Sequence, residues 1–325
     1  MPDAPFRRRV PSAGAAALAA PFLVRAAQAQ RPLGALPWQE GLTPVLVEEG
    51  VRFDLPGVAI GTAEYAEGPT GCNVFHFPEG AICEVDARGG SPYGLEVGTG
   101  VARELFAERR RAVVGAIGLV SGATIFDHVR RDTLVFPGQR LGAAAFRAAR
   151  PGRFPVGARG AGSPASIGQI GSRRFRPEQG GQGCAVGKIG AATIGVFTVL
   201  NRLGGIFDRQ GQLLRGFMVR ETGQRRPLEH IMRHHPEELG LVQGTAGSDT
   251  TITAVIIDGA VPAWDLRQRG RQIHAAMAQA IRPFHTPLDG DALFALSTGR
   301  ERLALPAAEV GSQLALDAVY SAIPG

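Results

Sequence analysis

Apolar runs alternate along the chain with glycine-, proline- and polar-rich turns, and this pattern predicts many short strands and few helices. The two clearest strands are residues 191–200 and 250–258, because both are almost wholly apolar or β-branched, as in a buried strand. Weaker or interrupted runs predict further strands over residues 50–63, 72–87, 112–126 and 292–297.

Helical spacing of apolar residues predicts two helices, over residues 94–111 and 262–281, the second with Pro262 in its first turn. Strands and helices do not alternate strictly, so the pattern favours an α+β fold built in layers. Polar and glycine-rich stretches predict loops over residues 151–187 and 221–247 and a hairpin tip at Gly211.

Residues 1–29 have the pattern of an export signal. Three arginines at 7–9 precede an apolar stretch at 13–24, and residues 27–29 read Ala-Gln-Ala, which suits signal peptidase. Paired arginines predict a twin-arginine-type signal, so the mature chain is expected in the periplasm or outside the cell. A disordered or weakly helical N-terminus without a targeting role is the alternative. No other segment reaches ~18 uninterrupted apolar residues, so no membrane contact is expected after signal removal.

Composition narrows the classes of protein further. The 325 residues include 45 glycines and 23 prolines, but 44 % are hydrophobic, which excludes collagen-like and disordered chains. The formal net charge is +6, half of it from residues 1–29. The best candidate basic runs, at residues 109–111 and 173–176, are more simply explained as solvated surface. No nucleic-acid partner is therefore expected. Of the three cysteines, Cys72 and Cys83 either pair in an oxidising compartment or, like Cys184, remain buried thiols.

Two motifs of cofactor chemistry are incomplete in this chain. His230 and His234 are four residues apart, but Ile231 stands where a zinc protease needs glutamate, so a solvated polar loop is the preferred interpretation. Lys188 resembles the end of a phosphate-binding loop, but Ile189 replaces the magnesium-binding hydroxyl. We therefore expect neither a metal nor a cofactor.

Thr250 stands at the head of a predicted buried strand, directly after a polar segment. A threonine hydroxyl is a weak nucleophile unless a base adjoins it, and an N-terminal threonine carries that base as its own α-amine, with a pKa of roughly 7.7–8.0. Such a terminus would require cleavage between Asp249 and Thr250. Threonine-rich strand starts are common, so the pattern alone leaves an ordinary strand open.

Asp289 and Asp291 flank one glycine just before the predicted strand at 292–297. Residues i and i+2 of a strand share a face, so both carboxylates can point at one spot and hold an ammonium and a hydroxyl. An Asx turn or a calcium loop are the alternatives, although the rest of a calcium-binding loop is absent.

Several motifs together resemble the self-cleaving N-terminal-nucleophile hydrolases that include L-aminopeptidase/D-amino-acid esterases and β-peptidyl aminopeptidases. Within them, the likeness is greatest to the nylon-oligomer hydrolases, which cut aminohexanoate oligomers. The motifs occur in order over most of the mature chain, at residues 53–58, 67–71, 86–90, 93–96, 249–252 and 283–294.

The resemblance implies a four-layer α/β/β/α sandwich of the N-terminal-nucleophile type, assembled as a homo-oligomer, a tetramer of α/β heterodimers. It also implies self-cleavage between Asp249 and Thr250, giving an α chain of residues 30–249 and a β chain of residues 250–325 of the same domain. The fold and the processing are thus expected together.

In the site, the resemblance assigns Thr250 as the nucleophile and Asn201 as the donor to the oxyanion. It assigns Asp289 and Asp291 as the acidic pair that orients the threonine. The implied reaction is hydrolysis of short amides, β-peptides or aminohexanoate-type oligomers with a free amino end, because the acidic pair favours a nearby cation.

Four features depart from the family pattern. Asp249 stands where relatives have asparagine before the cleaved bond. Phe126 and Gln169 replace a tyrosine and a lysine of the substrate pocket. The chain also runs directly from Gly89 to Tyr93, where relatives carry a longer glycine-rich segment, so the pocket wall at Tyr93 differs.

These departures motivate a rival function, in which the chain is an uncleaved, catalytically impaired relative that acts as a binding or scaffold protein. A second rival, an acetyltransferase of the ornithine type, uses the same nucleophile chemistry. The export signal and the Asp289-Gly290-Asp291 block argue against the acetyltransferase.

Overall fold

The computed structural model describes residues 41–87, 94–108, 119–127, 133, 135–169, 172–239, 249–286, 289–303 and 307–323. Within those ranges no helix combines the length and the apolar character needed to cross a membrane. The predicted export signal at residues 1–29 and the predicted pocket residue Tyr93 lie outside the described residues.

Most strands are short, as the frequent turns predict. They are β1 (Pro44–Leu46), β2 (Val51–Arg52), β3 (Ala59–Tyr65), β4 (Gly71–His76), β5 (Ile82–Ala87), β6 (Arg153–Phe154), β7 (Ser166–Ile167), β8 (Phe175–Arg176), β9 (Glu178–Gln179), β10 (Gly181–Ile189), β11 (Ala192–Asn201), β12 (Gly205–Phe207), β13 (Leu213–Arg215), β14 (Phe217–Val219), β15 (Arg225–Arg226), β16 (Thr250–Gly259), β17 (Ile281–Arg282) and β18 (Ala292–Glu301).

Helices precede or follow groups of strands along the chain. They are α1 (Glu96–Glu108), α2 (Gln139–Arg147), α3 (Leu228–His234), α4 (Pro236–Leu239), α5 (Ala263–Ala276) and α6 (Ala307–Ser321).

The largest sheet has five strands in the order β10-β11-β16-β18-β5. All neighbours are antiparallel except β16 and β18, which are parallel and are joined through α5. Strand β11 is buried along its full length, which explains its continuous apolar run. One face of this sheet packs on α5 and α6 through residues such as Val255, Leu266 and Val319.

The opposite face of the five-stranded sheet packs on a second sheet of three strands, in the order β1-β3-β4. Phe197 of β11 lies at the centre of this contact, with ring centroids 5.1 Å from Phe154, 5.2 Å from Phe75 and 5.5 Å from Phe53. Edge-to-face packing of these rings joins the two sheets.

Helices α1 and α2 cover the outer face of the three-stranded sheet. The approach is close at Gly61 of β3, where an added Cβ would lie 1.8 Å from the carbonyl oxygen of Ala145 in α2. The layers therefore follow as α, β, β, α, which confirms the predicted four-layer sandwich.

Several predicted elements match the structure, and others need correction. The strands predicted at 191–200, 250–258 and 292–297 correspond to β11, β16 and β18, and the helix predicted at 94–111 corresponds to α1. Gly211 forms the predicted tip between β12 and β13 with a left-handed φ of 82°. The predicted helix at 262–281 is shorter, because α5 ends at Ala276 and β17 follows a 3-10 turn.

The loop predicted over 151–187 is wrong, because this segment contains β6 to β9 and most of the long strand β10. Some of its glycines, such as Gly152 and Gly168, adopt a left-handed φ, but the glycines of β10 allow close packing. At Gly183 of β10 an added Cβ would lie 2.1 Å from the carbonyl oxygen of Ala318 in α6. The glycine content therefore reflects a helix lying directly on the strand.

Two further predictions need correction. In the range 112–126, the described residues 119–126 form no strand, and residues 112–118 lie outside the described residues. The range 221–247, predicted as irregular, contains α3 and α4. All three cysteines are free: Cys72 and Cys184 are buried, whereas Cys83 is exposed on β5. The open question of a Cys72 to Cys83 disulfide is therefore answered against pairing.

Candidate active site

Thr250 begins strand β16 and lies opposite Asn201, the last residue of β11, in the antiparallel register. Both residues are fully buried. The Thr250 Oγ1 atom has no hydrogen-bond partner among the described residues. A buried hydroxyl without a partner is costly in a protein interior, and such groups concentrate at functional sites.

Asn201 is held in one orientation by three contacts. Its Oδ1 atom accepts hydrogen bonds from the backbone N–H of Ser166, at 3.1 Å, and from Nε2 of Gln169. Its Nδ2 atom donates to the backbone carbonyl oxygen of Phe126 at 2.8 Å. The predicted pocket residues Phe126 and Gln169 are therefore brought together at Asn201, beside Thr250.

Asp249 precedes Thr250 and forms an isolated parallel bridge with Asp289. Its carbonyl oxygen accepts a hydrogen bond from the backbone N–H of Gly290 at 2.5 Å. This carbonyl belongs to the peptide bond between Asp249 and Thr250, so the bond is fixed by the loop that carries the predicted acidic pair.

Arg202 is the largest fully buried side chain, and sequence reasoning missed its role. One guanidinium nitrogen contacts Asp291 Oδ1 at 2.5 Å, and the other contacts Asp289 Oδ2 and the Pro283 carbonyl oxygen, both at 3.0 Å. The cation between the two carboxylates is thus supplied by the chain itself. The available signal was an arginine in an apolar run directly after Asn201, because a buried guanidinium requires carboxylate partners.

Asp291 has more polar contacts than the other carboxylates of the site. It accepts the backbone N–H of Thr251 at 2.7 Å and lies 3.0 Å from Nδ1 of His285. Burial opposes its ionisation, but the hydrogen bond from His285, the charge of Arg202 and the Thr251 N–H together lower the Asp291 pKa to about 2. Asp291 is therefore ionised over the physiological pH range.

Two other titratable groups nearby are shifted in the direction that burial dictates. Burial raises the pKa of Asp249 to about 7, with Arg202 opposing the shift and Asp289 and Asp291 adding to it. Burial lowers the pKa of His274 on α5 to about 3, and the neighbouring His285 adds to this shift. His274 is therefore neutral, and Asp249 has an uncommonly high affinity for a proton.

His285 is the solvent-facing member of this network and was also missed as a site residue. Its ring stacks edge-on against His274 with centroids 4.7 Å apart. Its backbone has a left-handed φ of 59°, which is strained for a residue with a Cβ and is characteristic of functional loops.

The histidines considered for a metal lie elsewhere, on α3. The rings of His230 and His234 are in contact, with centroids 4.6 Å apart. Across the described residues there is no group of three or more histidine, cysteine or acidic side chains arranged to hold a metal ion.

Known proteins of similar sequence define the family of this chain. The sequence profile of peptidase family S58 matches residues 88–324. The 6-aminohexanoate-oligomer endohydrolase of Kocuria sp. (strain KY2) is 38 % identical over 309 residues, covering 84 % of this chain and 86 % of that protein. An uncharacterized aminopeptidase of Mycobacterium bovis is 32 % identical over 272 residues, covering 81 % and 74 %.

Two solved structures share the fold at low sequence identity. A β-aminopeptidase of Burkholderia sp. has a TM-score of 0.54 at 14 % identity, covering 85 % of this chain and 88 % of that chain. The L-aminopeptidase D-Ala-esterase/amidase of Ochrobactrum anthropi, described as a variant of the Ntn hydrolase fold, has a TM-score of 0.52 at 15 % identity, covering 86 % and 87 %.

The four-layer sandwich and these relatives define an amide or peptide hydrolase with the Ntn hydrolase fold. The profile match and the identity to the Kocuria endohydrolase place it more narrowly: the chain belongs to peptidase family S58.

Proposed function

We propose that the chain cuts itself between Asp249 and Thr250 and then uses Thr250 as an N-terminal nucleophile to hydrolyse short amides with a free amino end. The observation that carries this proposal is the pairing of Thr250 with Asn201, with the Thr250 hydroxyl buried and without a partner among the described residues. The Thr251 hydroxyl is also buried without a partner among the described residues, so what distinguishes Thr250 is its position opposite Asn201 and directly after the peptide carbonyl that the Gly290 N–H contacts.

Self-cleavage begins when Thr250 Oγ1 attacks the carbonyl carbon of Asp249. The C–N bond breaks, the hydroxyl proton passes to the Thr250 nitrogen, and an ester joins the two residues. Water then hydrolyses the ester to a carboxylate on Asp249 and restores the hydroxyl of Thr250, which now carries a free amine. The Gly290 N–H, 2.5 Å from the Asp249 carbonyl oxygen, stabilises negative charge developing on that oxygen.

In turnover, the Thr250 amine takes the proton from its own Oγ1 as that atom attacks the substrate carbonyl. The amine returns the proton to the leaving amine, and water hydrolyses the acyl-enzyme. Asn201 supplies the oxyanion donor, because its amide lies on the neighbouring strand directly opposite Thr250 and is oriented by Phe126 and Gln169.

Arg202 supplies the cation between the two carboxylates, and Asp289 keeps one carboxylate oxygen for the Thr250 amine. Arg202 and the Thr286 N–H occupy Asp289 Oδ2, whereas Asp289 Oδ1 is buried with no hydrogen-bond partner among the described residues. That oxygen can accept a hydrogen bond from the Thr250 amine. The name of the Kocuria relative points to aminohexanoate-type oligomers as substrates, and that of the Burkholderia structure points to β-peptides.

Export, compartment and assembly complete the proposal. The chain is made with a removable signal over residues 1–29, works in the periplasm or outside the cell, and assembles as a tetramer of α/β heterodimers. Sequencing of the mature N-terminus tests removal of the signal, and light scattering of the purified protein tests the assembly.

Intact mass of the purified full-length protein tests the central proposal. Two chains are expected, one ending at Asp249 and one beginning Thr-Thr-Ile-Thr-Ala, and the cut protein should release 6-aminohexanoate from its linear oligomers. An uncut chain with no turnover of these oligomers or of β-peptides would overturn it and would favour the uncleaved binding protein.

A further inference from the structure

Three carboxyl groups and one guanidinium share the sealed space around the peptide bond before Thr250. Asp249, Asp289 and Asp291 are 1 %, 4 % and 2 % exposed, and Arg202 is 0 % exposed. Three ionised carboxylates beside one guanidinium leave excess negative charge out of reach of water, which a protein interior does not tolerate without further partners.

The hydrogen bonds divide unequally among the three carboxyls. Asp289 accepts from Arg202 and the Thr286 N–H, and Asp291 accepts from Arg202 and the Thr251 N–H and contacts His285. The Oδ1 atoms of Asp249 and Asp289 are both buried with no hydrogen-bond partner among the described residues, but neither Arg202 nor a backbone N–H donates to the other oxygen of Asp249. Asp249 is therefore the member of the three that binds a proton.

We propose that self-cleavage requires the protonated form of the Asp249 side chain, so that the residue before the cut acts as a positioning residue whose ionisation blocks processing. This inference rests on the proposed function, since it concerns the same bond. Ionised Asp249 adds a second uncompensated negative charge beside Asp289 and Asp291. The repulsion moves the scissile segment away from the Gly290 N–H and from the Thr250 hydroxyl.

The surrounding charges agree with this assignment. The charged groups facing Asp249 are Arg202, directly after β11, and Asp289 and Asp291 in the loop before β18. His285 contacts Asp291 on its other side, and neutral His274 contacts His285. Burial raises the Asp249 pKa to about 7. Because the pKa is raised, the neutral form prevails below about pH 7 and is lost as pH rises above it.

The covalent step is unchanged by this requirement. Oγ1 of Thr250 bonds to the Asp249 carbonyl carbon, the C–N bond breaks, and the hydroxyl proton moves to the Thr250 nitrogen; water later cleaves the ester. The side-chain proton of Asp249 is not consumed, so its effect is on the alignment of the precursor alone.

The test follows the cutting of newly made full-length chain. Wild-type chain and Asp249→Asn, an isosteric variant that is neutral at every pH, are produced by cell-free synthesis and transferred to buffers from pH 5 to 9. Appearance of the chain beginning at Thr250 is timed by mass spectrometry. The ratio of the wild-type rate to the Asp249→Asn rate is expected to be constant below about pH 7 and to fall about tenfold per pH unit above it.

Two further variants complete the test. Asp317→Asn removes an exposed carboxylate that pairs with Arg209 and should follow the wild-type profile. Asp249→Ala is neutral but smaller, and the ratio of the wild-type rate to its rate should depend on pH in the same way as the ratio to Asp249→Asn. It replaces Asp249→Asn if the asparagine chain does not fold. A rate ratio that stays constant from pH 5 to 9 overturns the inference while leaving the proposed function standing. Absence of cutting in every variant at every pH overturns both.

Discussion

Thr250 and Asn201 face each other as the terminal pair of the ladder between β16 and β11, at the edge where both central strands meet the loop carrying Asp289 and Asp291. Because the pair belongs to a continuous antiparallel register, the strands themselves fix the position of Thr250 relative to Asn201. Sites built on strands hold such geometry more tightly than sites built on loops.

The adjacent residues Thr250 and Thr251 allow the effect of losing the proposed nucleophile to be distinguished from the effect of losing a buried hydroxyl. Thr250 and Thr251 are both fully buried, and both hydroxyls have no hydrogen-bond partner among the described residues. Thr250→Val keeps the shape but removes the nucleophile, so the chain should remain uncut. Thr251→Val, the matched control, should be cut at close to the wild-type rate. Gel analysis and intact mass distinguish the two, and cutting of Thr250→Val would contradict the assignment.

Asn201 should matter for turnover through its amide. Asn201→Ala removes the donor opposite Thr250, and we expect kcat on an aminohexanoate oligomer to fall about 10²–10³-fold with a smaller change in KM. Asn73→Ala is the control, because Asn73 bonds Gln182 and Thr62 away from this site. An Asn201→Ala enzyme with unchanged kcat would exclude the oxyanion role.

Arg202 should contribute far more to stability than an exposed arginine. Arg202→Met leaves Asp289 and Asp291 buried without their cation, at an expected cost of about 3–5 kcal/mol in the free energy of unfolding. Arg209→Met breaks an exposed pair with Asp317 and should cost less than about 1 kcal/mol. Urea denaturation of both proteins measures the two losses in the free energy of unfolding. Equal losses would show that Asp289 and Asp291 do not depend on Arg202 for their stability in the folded protein.

Stability of the uncut chain should depend on Asp249 over a defined pH window. Its folded pKa of about 7 exceeds the ordinary value of 3.8, so the folded state loses stability as pH rises between these values. The comparison uses two uncut chains, the single variant Thr250→Val and the double variant that also carries Asp249→Asn. The free energy of unfolding of the double variant should exceed that of the single variant by an amount that grows by about 1.4 kcal/mol per pH unit from about pH 4 to about pH 7 and then levels off. Denaturation curves across this range check it, and a pH-independent difference would contradict it.

Local pattern predicted the central strands well and the glycine-rich region poorly. β11 and β16 were recognisable because strands buried on both faces must be continuously apolar. β10 was mistaken for a loop because its glycines, among them Gly183, serve the approach of α6. Glycine content does not distinguish a turn from a close contact until the partner helix is known.

The sequence by itself determined the candidate chemistry: Thr250 at a strand head, Asn201 at the end of another apolar strand, and an Asp-Gly-Asp block, all recognisable from local pattern and from likeness to a family. Only the tertiary structure decided how these groups are charged and coupled. Arg202 is a single arginine among many in the sequence, and its pairing with Asp289 and Asp291, some 90 residues away, follows from the adjacent positions of β11, β16 and β18 in one sheet. Burial and long-range pairing, which set the protonation of Asp249 and Asp291, depend on what the rest of the chain places around a residue.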